Sequence, residues 1–275
     1  MADKRLTPAR PDLAAARLKG KVEAARFVEG EKFSTGLGRA SLRLAPSDDA
    51  GQVSELLFGE SVTVYERKGG WAWLQAAGDS YVGYVQEAAL APPFVPDARV
   101  AAVLSPVFSA PDLKSPLRDS LPLNALVKRG ARSGDYHQIA PGRFMHYRHL
   151  APLDEHAADF AAVAERFVGV PYVWGGKTFA GLDCSGLIQT ALQASGIASP
   201  RDTDMQQAAL GESVEIADLR RGDLVFWKGH VGVMQNRGHL LHANAFHMQV
   251  TSEPLAEAAM RAENAGSAIV AIKRL

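Results

Sequence analysis

The chain has 275 residues, 47% of them apolar and 22% charged, which is typical of a folded protein and excludes a wholly disordered or collagen-like chain. Thirty Lys and Arg residues balance thirty Asp and Glu residues, so a nucleic-acid partner bound through phosphate neutralisation is not expected. The longest uncharged stretch, residues 184–200, contains several polar side chains, whereas a membrane helix needs about 20 mainly apolar residues. We therefore expect two or more domains and neither a nucleic-acid nor a membrane partner.

Residues 1–30 form an N-terminal segment whose order the sequence leaves open. Its first twelve residues carry five charged side chains and no apolar run, so they predict no secretory signal and a cytoplasmic location. The single cysteine of the chain, Cys184, cannot form a disulfide within the chain and suits a reducing compartment.

Between residues 31 and 152 the pattern is one of short strand-like runs separated by turns. The clearest runs are 61–65, 71–74 and 81–85. The tetrapeptide ALAP at 89–92 has a counterpart in HLAP at 149–152, a spacing that suits two small barrels. We predict a first domain over 31–94 and a second over 95–152, and both resemble bacterial SH3-type domains. A single irregular β-domain is the alternative.

After residue 152 the pattern changes to helices followed by strands. Asp154 is predicted to cap a helix whose apolar positions between 160 and 168 follow the i, i+3, i+4, i+7 spacing. A second helix is predicted to begin at Asp183 and Cys184 and to stop at Gly196. The strand-like runs that follow are 223–227, 230–235, 239–244, 248–251 and 269–272, with a hairpin turn at 236–238. Helices followed by an antiparallel sheet predict an α+β fold.

Cys184 is a candidate nucleophile because of its position directly after an Asp at the start of a helix. Backbone N–H groups and the helix dipole favour a thiolate at such a position. The alternative is a buried structural thiol, since free cysteine is among the most buried residue types.

Two histidines favour the catalytic interpretation. His230 opens one predicted strand and His242 lies on the next, so the two can approach each other as cross-strand neighbours. A thiolate, a base and a group that orients the base form an activated nucleophile. The remaining histidines are interpreted as ordinary surface or core residues: His137, His146, His149, His156, His239 and His247.

A metal site is the competing use of cysteine and histidine. His239 and His242 are three positions apart on a strand and therefore point to opposite faces, which makes them a poor chelating pair. The sequence contains neither CxxC nor HExxH, and it also lacks the G-x-S-x-G motif of α/β serine hydrolases. We expect no metal and no other cofactor.

Five segments, in this order and spacing, carry a resemblance to a known family. They are GVPYVWGG at 169–176, LDCSGLIQ at 182–189, RGDLVFW at 221–227, GHVGV at 229–233 and HA at 242–243. Residues 153–275 resemble the NlpC/P60 family of cell-wall cysteine peptidases.

This resemblance implies a papain-like α+β catalytic domain over residues 153–275, preceded by the two SH3-like barrels. It implies Cys184 as nucleophile, His230 as general base and His242 as the polar third residue. Tyr172 is expected to join the Cys184 backbone N–H in stabilising the oxyanion, although it could equally be a core aromatic residue. The two neighbours of the nucleophile are expected to contact substrate, and they are Asp183 and Ser185.

Members of the family cleave peptidoglycan peptides, commonly after γ-linked D-glutamate. With two SH3-type domains, the chain is similar to γ-D-glutamyl-L-diamino acid endopeptidases, in which the first SH3-type domain closes one end of the cleft and an acidic side chain captures the free amine of an N-terminal L-Ala. Residues 44–96 hold seven acidic and two basic side chains, and Glu60 and Tyr81 are our candidates for this contact. Both could also be ordinary barrel residues.

The resemblance leads us to expect hydrolysis of the γ-D-glutamyl bond to a diamino acid in murein peptides such as L-Ala-γ-D-Glu-diaminopimelate, as part of peptide recycling. Two alternatives remain. The same nucleophile could serve an N-acetylmuramoyl-L-alanine amidase or another acyl transfer, because fold and nucleophile do not decide the substrate. The chain could also be a non-catalytic cell-wall-binding protein.

Overall fold

The computed structural model describes residues 3–275, so the first two residues of the predicted N-terminal segment lie outside the described part. The chain divides between Leu153 and Asp154 into two compact units. In residues 3–275 no helix is long and apolar enough to cross a membrane.

The first unit begins with a segment that packs on a seven-stranded antiparallel sheet. The segment holds the parallel strands β1 (Ala14–Ala15) and β2 (Phe27–Val28). The sheet comprises β3 (Glu31–Thr35), β4 (Arg39–Arg43), β5 (Gln52–Leu57), β6 (Ser61–Lys68), β7 (Trp71–Ala76), β8 (Val82–Gln86) and β9 (Leu90–Ala91), in the order β5-β4-β8-β7-β6-β3-β9. Alternation along β6 turns Val62 and Val64 into the core. Gly69 and Gly70 both have positive φ in the turn between β6 and β7, a conformation that glycine adopts without steric cost.

The rest of the first unit is a second small β-domain with its own core. Its strands are β10 (Ala98–Val100), β11 (Leu104–Phe108), β12 (Leu117–Pro122), β13 (Leu126–Val127), β14 (Arg132–Ser133), β15 (Tyr136–Ala140), β16 (Arg143–His146) and β17 (Leu150–Pro152). They form a three-stranded sheet, β13-β10-β17, and a five-stranded sheet, β12-β11-β16-β15-β14. Val107, Leu121 and Met145 are fully buried between them.

The second unit combines four helices with an antiparallel sheet. Its helices are α1 (Phe160–Glu165), α2 (Cys184–Ala194), α3 (Thr203–Ala209) and α4 (Leu255–Asn264). Its strands are β18 (Lys177–Thr178), β19 (Gly181–Leu182), β20 (Glu212–Ser213), β21 (Leu224–Trp227), β22 (His230–Met234), β23 (His239–Asn244), β24 (Gln249–Pro254) and β25 (Ile269–Arg274). The main sheet has the order β20-β25-β21-β22-β23-β24.

Helix α2 is the central helix of this unit, since ten of its eleven residues are buried. It contacts α1 on one side and strands β22 and β23 on the other. The helix is thus buried on nearly every side, and its buried polar side chains find partners within the protein, as the Thr190 hydroxyl does at the Lys177 carbonyl. Burial of α2 therefore places its first residue, Cys184, against the sheet that carries the two histidines.

Most of the elements expected in this unit are present, and one detail is wrong. Helix α2 begins at Cys184 and ends before Gly196, and Asn236 closes the predicted hairpin by accepting the Gly238 N–H at 2.9 Å. The cap of α1, however, is Asp159 and not Asp154. The Asp159 carboxylate accepts the N–H groups of Ala161 and Ala162 at 2.9 and 3.2 Å, a bond pattern that only a residue directly before the helix can make.

Candidate active site

Cys184 lies at the N-terminus of α2 with its side chain almost completely buried. The residue is 6% exposed, and its sulfur lies 3.7 Å from the Thr203 hydroxyl and 4.0 Å from the Gly229 carbonyl oxygen, which precedes His230. The Cys184 sulfur is thereby held where β22 begins.

The loop before the helix packs unusually close to it. A Cβ atom at Gly186 would lie 2.1 Å from the carbonyl oxygen of Gly176, so only glycine fits at this position of α2. The glycines of the GVPYVWGG and LDCSGLIQ segments therefore permit the loop to lie directly against the start of the catalytic helix.

A buried ion pair holds the residues on both sides of the nucleophile. Arg201 is 1% exposed and forms a bidentate pair with Asp183, at 2.9 Å to Oδ1 and 2.6 Å to Oδ2. Arg201 also donates to the Ser185 hydroxyl at 2.9 Å. Asp183 accepts in addition the N–H groups of Gly186 at 2.7 Å and Gly175 at 2.8 Å.

Besides capping the helix, Asp183 thereby has a scaffolding role that the sequence did not reveal. Its two oxygens are engaged within the protein, and the hydroxyl of Ser185 is engaged by the same arginine. The expected contact of Asp183 and Ser185 with substrate stays a prediction. Arg201 was missed because it lies outside the recognisable segments and nothing local marks it as buried.

The protonation of the thiol differs from the expectation drawn from helix position alone. Burial, and then the neighbouring Asp183 carboxylate, raise the pKa of Cys184, while bonds from Thr203 and from the backbone N–H groups of Val231 and Ser185 offset this only in part. Cys184 is therefore a neutral thiol at neutral pH in this structure and needs a base to become a nucleophile.

The two predicted histidines do meet. Strands β22 and β23 pair with Val233 opposite Leu241, and continuing that register puts Gly232 opposite His242 and His230 diagonal to it on the same face. The Nε2 atom of His230 lies 2.8 Å from Nδ1 of His242, which confirms the predicted approach. A Cβ at Gly232 would lie 3.1 Å from the Cβ of His242, so glycine leaves the room for the diagonal contact.

A carboxylate continues this arrangement beyond His242. The Nε2 atom of His242 lies 2.7 Å from Oε1 of Glu253, which in turn accepts two bonds from Arg261 at 2.5 and 3.0 Å. His247, which the sequence analysis grouped with ordinary residues, lies 3.5 Å from Oε2 of Glu253.

The signal for Glu253 was present in the sequence but lay just outside the predicted strand. His242 pairs with Thr251, and Glu253 follows two residues later on the same face of β24. Because the predicted strand ended at residue 251 and the observed one continues to Pro254, the carboxylate was overlooked.

The electrostatics of this group follow from its burial. Burial, and then the neighbouring His242, lower the pKa of His230 to about 3, and burial lowers that of His242 despite its bond to Glu253. Burial would raise the pKa of Glu253, but the bonds from Arg261 and His242 outweigh it and bring the value to about 2. At neutral pH the imidazoles are thus neutral and the carboxylate is ionised.

Tyr172 lies in the same unit, half-buried, with its backbone N–H donating to the Met248 carbonyl at 2.9 Å. Burial is the main cause that raises the pKa of its hydroxyl, and the neighbouring Cys184 and Asp183 raise it further, so the hydroxyl remains a donor at neutral pH. A hydroxyl that keeps its proton can donate to an oxyanion, which suits the predicted contact of Tyr172. The contact itself stays a prediction.

Glu60 and Tyr81 belong to the first unit, and Cys184, His230 and His242 belong to the second. Tyr81 is 5% exposed within the core of the first barrel. Glu60 is half-buried directly before β6, and its carbonyl oxygen accepts the Thr35 N–H at 3.0 Å. Their role at the substrate amine stays a prediction.

Within residues 3–275, no group of three or more His, Cys, Asp and Glu side chains could hold a metal ion. His239 and His242 lie three residues apart on β23, where alternate residues share a face, so the two side chains point to opposite faces. The competing interpretation of these residues as a chelating pair is not supported by their geometry.

A buried thiol at a helix start, a base on an adjacent strand and a polar third residue define a cysteine hydrolase of papain-like architecture. Two family models match the chain: the NlpC/P60 family over residues 169–267 and the bacterial dipeptidyl-peptidase Sh3 domain over residues 42–90. The chain belongs to the NlpC/P60 family of cysteine peptidases.

Curated relatives agree with this assignment. The chain is similar to γ-D-glutamyl-L-lysine dipeptidyl-peptidases of Bacillus cereus (27% identity, covering 74% of this chain and 70% of the relative) and Bacillus subtilis (35% identity, covering 37% and 38%). It is also similar to a probable endopeptidase, the NlpC homologue of Haemophilus influenzae (33% identity, covering 46% and 68%). The match thus spans little more than a third of the B. subtilis relative.

A crystal structure of an NlpC/P60 family protein from Bacillus cereus matches with a TM-score of 0.75 at 20% identity, covering 89% of this chain and 99% of that one. This likeness concerns the fold. It confirms the expected class, an α+β catalytic domain preceded by small SH3-like β-domains.

Proposed function

We propose that the protein hydrolyses the γ-D-glutamyl bond to a diamino acid in peptides derived from peptidoglycan. The observation that carries the proposal is the bond between His230 and His242 on a sheet packed against the helix that begins at Cys184. The bond specificity is supported by the names of the two dipeptidyl-peptidases and by the match of residues 42–90 to a domain of that kind of enzyme.

The residues present can carry out both halves of the reaction. His230, neutral at pH 7, takes the proton of the Cys184 thiol, and the sulfur attacks the γ-carbonyl carbon of D-glutamate. The Cys184 backbone N–H and the Tyr172 hydroxyl stabilise the oxyanion. The protonated His230 then gives its proton to the leaving amine of the diamino acid, and a thioester remains.

In the second half His230 takes a proton from water, whose oxygen attacks the thioester carbonyl. Collapse of this intermediate breaks the carbon–sulfur bond, returns the proton to sulfur and releases the γ-carboxylate. The thiol and the neutral imidazole are thereby restored.

We extend the proposal to substrate selection. The first SH3-type domain is acidic, and an acidic side chain there, with Glu60 and Tyr81 as candidates, binds the ammonium group of an N-terminal L-Ala. The substrate is then a peptide such as L-Ala-γ-D-Glu-diaminopimelate or its lysine counterpart, and the role is the recycling of murein peptides in the cytoplasm.

The test is mass analysis of the products from defined peptides. We expect the wild type to release L-Ala-γ-D-Glu from both the diaminopimelate and the lysine tripeptide, and Cys184→Ala to release none while melting at the same temperature. Activity should survive a chelator and be lost with iodoacetamide, because the mechanism needs a thiol and no metal.

Two results would contradict the proposal. Release of L-Ala-containing peptide from N-acetylmuramoyl-peptide would instead establish the amidase alternative. Binding of muropeptides without turnover, identical in wild type and Cys184→Ala, would establish the non-catalytic one.

A further inference from the structure

We infer that Glu253 is a positioning residue that sets the tautomers of His242 and His230 and so makes Nδ1 of His230 the acceptor of the thiol proton. The inference rests on the proposed function only in taking Cys184 and His230 as the reacting pair. It does not depend on which peptide is cleaved.

The argument follows the hydrogen bonds inward from the carboxylate. An ionised carboxylate can only accept, so the 2.7 Å contact requires a proton on Nε2 of His242. A neutral imidazole carries one proton, so Nδ1 of His242 must be an acceptor. At 2.8 Å from that acceptor, Nε2 of His230 must be the donor, and Nδ1 of His230 then holds the remaining lone pair.

The environment of Glu253 keeps it ionised and oriented. Arg261 donates to both carboxylate oxygens, at 2.5 Å to Oε1 and 3.0 Å to Oε2, in the fork geometry that matches a carboxylate. His247 lies 3.5 Å from Oε2, on the side away from His242. An amide cannot replace this carboxylate, because in either orientation its NH₂ group would face a donor of Arg261.

The carboxylate is needed because the third residue is a histidine. The oxygen of an Asn or Gln side chain is an acceptor whatever surrounds it, but a neutral imidazole presents an acceptor at Nδ1 only if its proton is held on Nε2. Without Glu253, His242 can place its proton on Nδ1 and point it at His230. The His230 proton would then move to Nδ1, which could no longer take the proton of the Cys184 thiol.

The negative charge of Glu253 has a second measurable effect. Glu253 faces His242 on β23, His247 on the loop before β24, and Arg261 on α4, while His230 faces His242 and directly follows Gly229, whose carbonyl oxygen lies 4.0 Å from the Cys184 sulfur. When the thiol proton moves to Nδ1 of His230, the positive charge formed there is stabilised through His242 by the carboxylate. Without the carboxylate the positive charge of Arg261 is uncompensated. Protonation of either His230 or Cys184 then becomes less favourable.

The first test needs no substrate and no variant. In ¹⁵N NMR spectra of histidine-labelled wild-type protein at neutral pH, we expect both His230 and His242 to be protonated at Nε2 and not at Nδ1. Protonation of His242 at Nδ1 would overturn the inference directly.

The second test uses the alkylation of Cys184 by iodoacetamide, since this is the only thiol of the chain. Glu253→Gln should slow alkylation at neutral pH by about a hundredfold, the lower range of what a positioned base contributes, and should move both limbs of the rate–pH profile to lower pH by about one unit. Glu263→Gln, which removes an exposed carboxylate from the same helix, is the matched control and should change neither.

A double-mutant comparison separates positioning from a merely structural role. In a His242→Gln background, Glu253→Gln should slow alkylation by less than about threefold, because the amide oxygen needs no tautomer to be set. Equal losses in the two backgrounds, or an unshifted pH profile, would show that Glu253 only supports the fold. If Glu253→Gln alone fails to fold, the wild-type NMR spectrum still tests the predicted tautomers of His230 and His242. Neither measurement depends on peptide turnover.

Discussion

Cys184 and His230 carry opposite pKa shifts, and together these set the protonation of the pair before substrate binds. The pKa of the thiol is raised and that of the imidazole is lowered to about 3, in both cases first by burial. Both groups are therefore neutral at neutral pH, so the proposed mechanism forms the thiolate only when a proton moves from Cys184 to His230. The helix dipole at Cys184 is outweighed by loss of solvent and by the adjacent carboxylate of Asp183.

Substitution of His230, His242 and His239 should lower kcat/KM by different amounts. His230→Ala should lower kcat/KM by on the order of 10³-fold, because it removes the only base, while His242→Gln should cost much less, because an amide oxygen can still accept from His230. His239→Ala, on the exposed face of the same strand, is the control and should leave kcat/KM unchanged. A His242→Gln loss as deep as that of His230→Ala would argue against His242 as an acceptor only.

The buried pair between Arg201 and Asp183 should be far more costly to break than a surface pair of equal length. Arg201→Met leaves the Asp183 carboxylate buried without its charge partner and should lower the free energy of unfolding by about 3–5 kcal/mol. Arg221→Met removes a half-exposed arginine that pairs with Glu165 and with Asp159, each at 2.7 Å, and should cost at most about 1 kcal/mol for each pair. Urea unfolding followed by the exposure of Cys184 measures both, and equal losses would contradict the assigned burial effect.

At the scale of elements, neighbouring strands β22, β23 and β24 each contribute one ionisable side chain to a diagonal row on one face of the sheet. The register of β22 with β23 and of β23 with β24 displaces each partner by two residues, so His230, His242 and Glu253 share one face. Since side chains alternate along a strand, a slip of one residue in either pairing would turn one member of the row away. The hairpin closed by Asn236 holds the first of these registers.

The row of His230, His242 and Glu253 predicts that the stability of the second unit depends on pH. The folded-state pKa values of His230 and His242 lie below their ordinary value of 6.5, so below pH 6.5 the unfolded chain binds more protons and the free energy of unfolding falls, by up to about 1.4 kcal/mol per pH unit for each imidazole. Glu253 adds to this below its ordinary pKa of 4.5, because its folded value is about 2.

The measurement is urea unfolding at pH 7 and 5.5, with Cys184 labelled in a short pulse at one common pH. His242→Gln should reduce the dependence on pH by about half, whereas His239→Gln, at an exposed position, should leave it as in the wild type. A slope that does not change in His242→Gln would show that this imidazole is not neutral in the folded state.

At the scale of the whole molecule, the chain joins a catalytic unit to a first unit of two small β-domains, and the proposed selectivity belongs to that combination. Residues 44–96 carry seven acidic and two basic side chains, a charge balance that suits an ammonium group better than polyanionic wall. This charge balance supports the proposal that the first SH3-type domain binds the substrate amine.

The corresponding prediction concerns substrates that differ only in that amine. The tripeptide with a free N-terminal L-Ala should be cleaved about ten- to a hundredfold more efficiently than the N-acetylated peptide, since a charge-assisted hydrogen bond contributes about 1.5–3 kcal/mol. Equal kcat/KM values, or ready lysis of purified sacculi, would contradict this selectivity. If the selectivity holds but is unchanged in Glu60→Gln, another residue binds the amine.

Features that depend on neighbours in the chain were accessible from the sequence. The Asp183–Cys184 helix start, the stop at Gly196, the hairpin at 236–238 and the alternation that buries His242 while exposing His239 all follow from local rules of capping, turn formation and strand periodicity. The predicted cap of α1 was an exception, because the observed helix begins directly after Asp159 and not after Asp154.

Only the tertiary structure decided which distant side chains surround the reacting atoms. Arg201 reaches Asp183 because α3 and the loop before it fold back over α2, and Arg261 reaches Glu253 because α4 packs beside β24. The direction of the thiol pKa was decided in the same way, since it depends on burial, which no local pattern reports. The sequence alone predicted Cys184 as the nucleophile and His230 as its base, whereas packing determined their protonation and the hydrogen bonds around them, because desolvation and hydrogen-bond partners exist only once the elements are assembled.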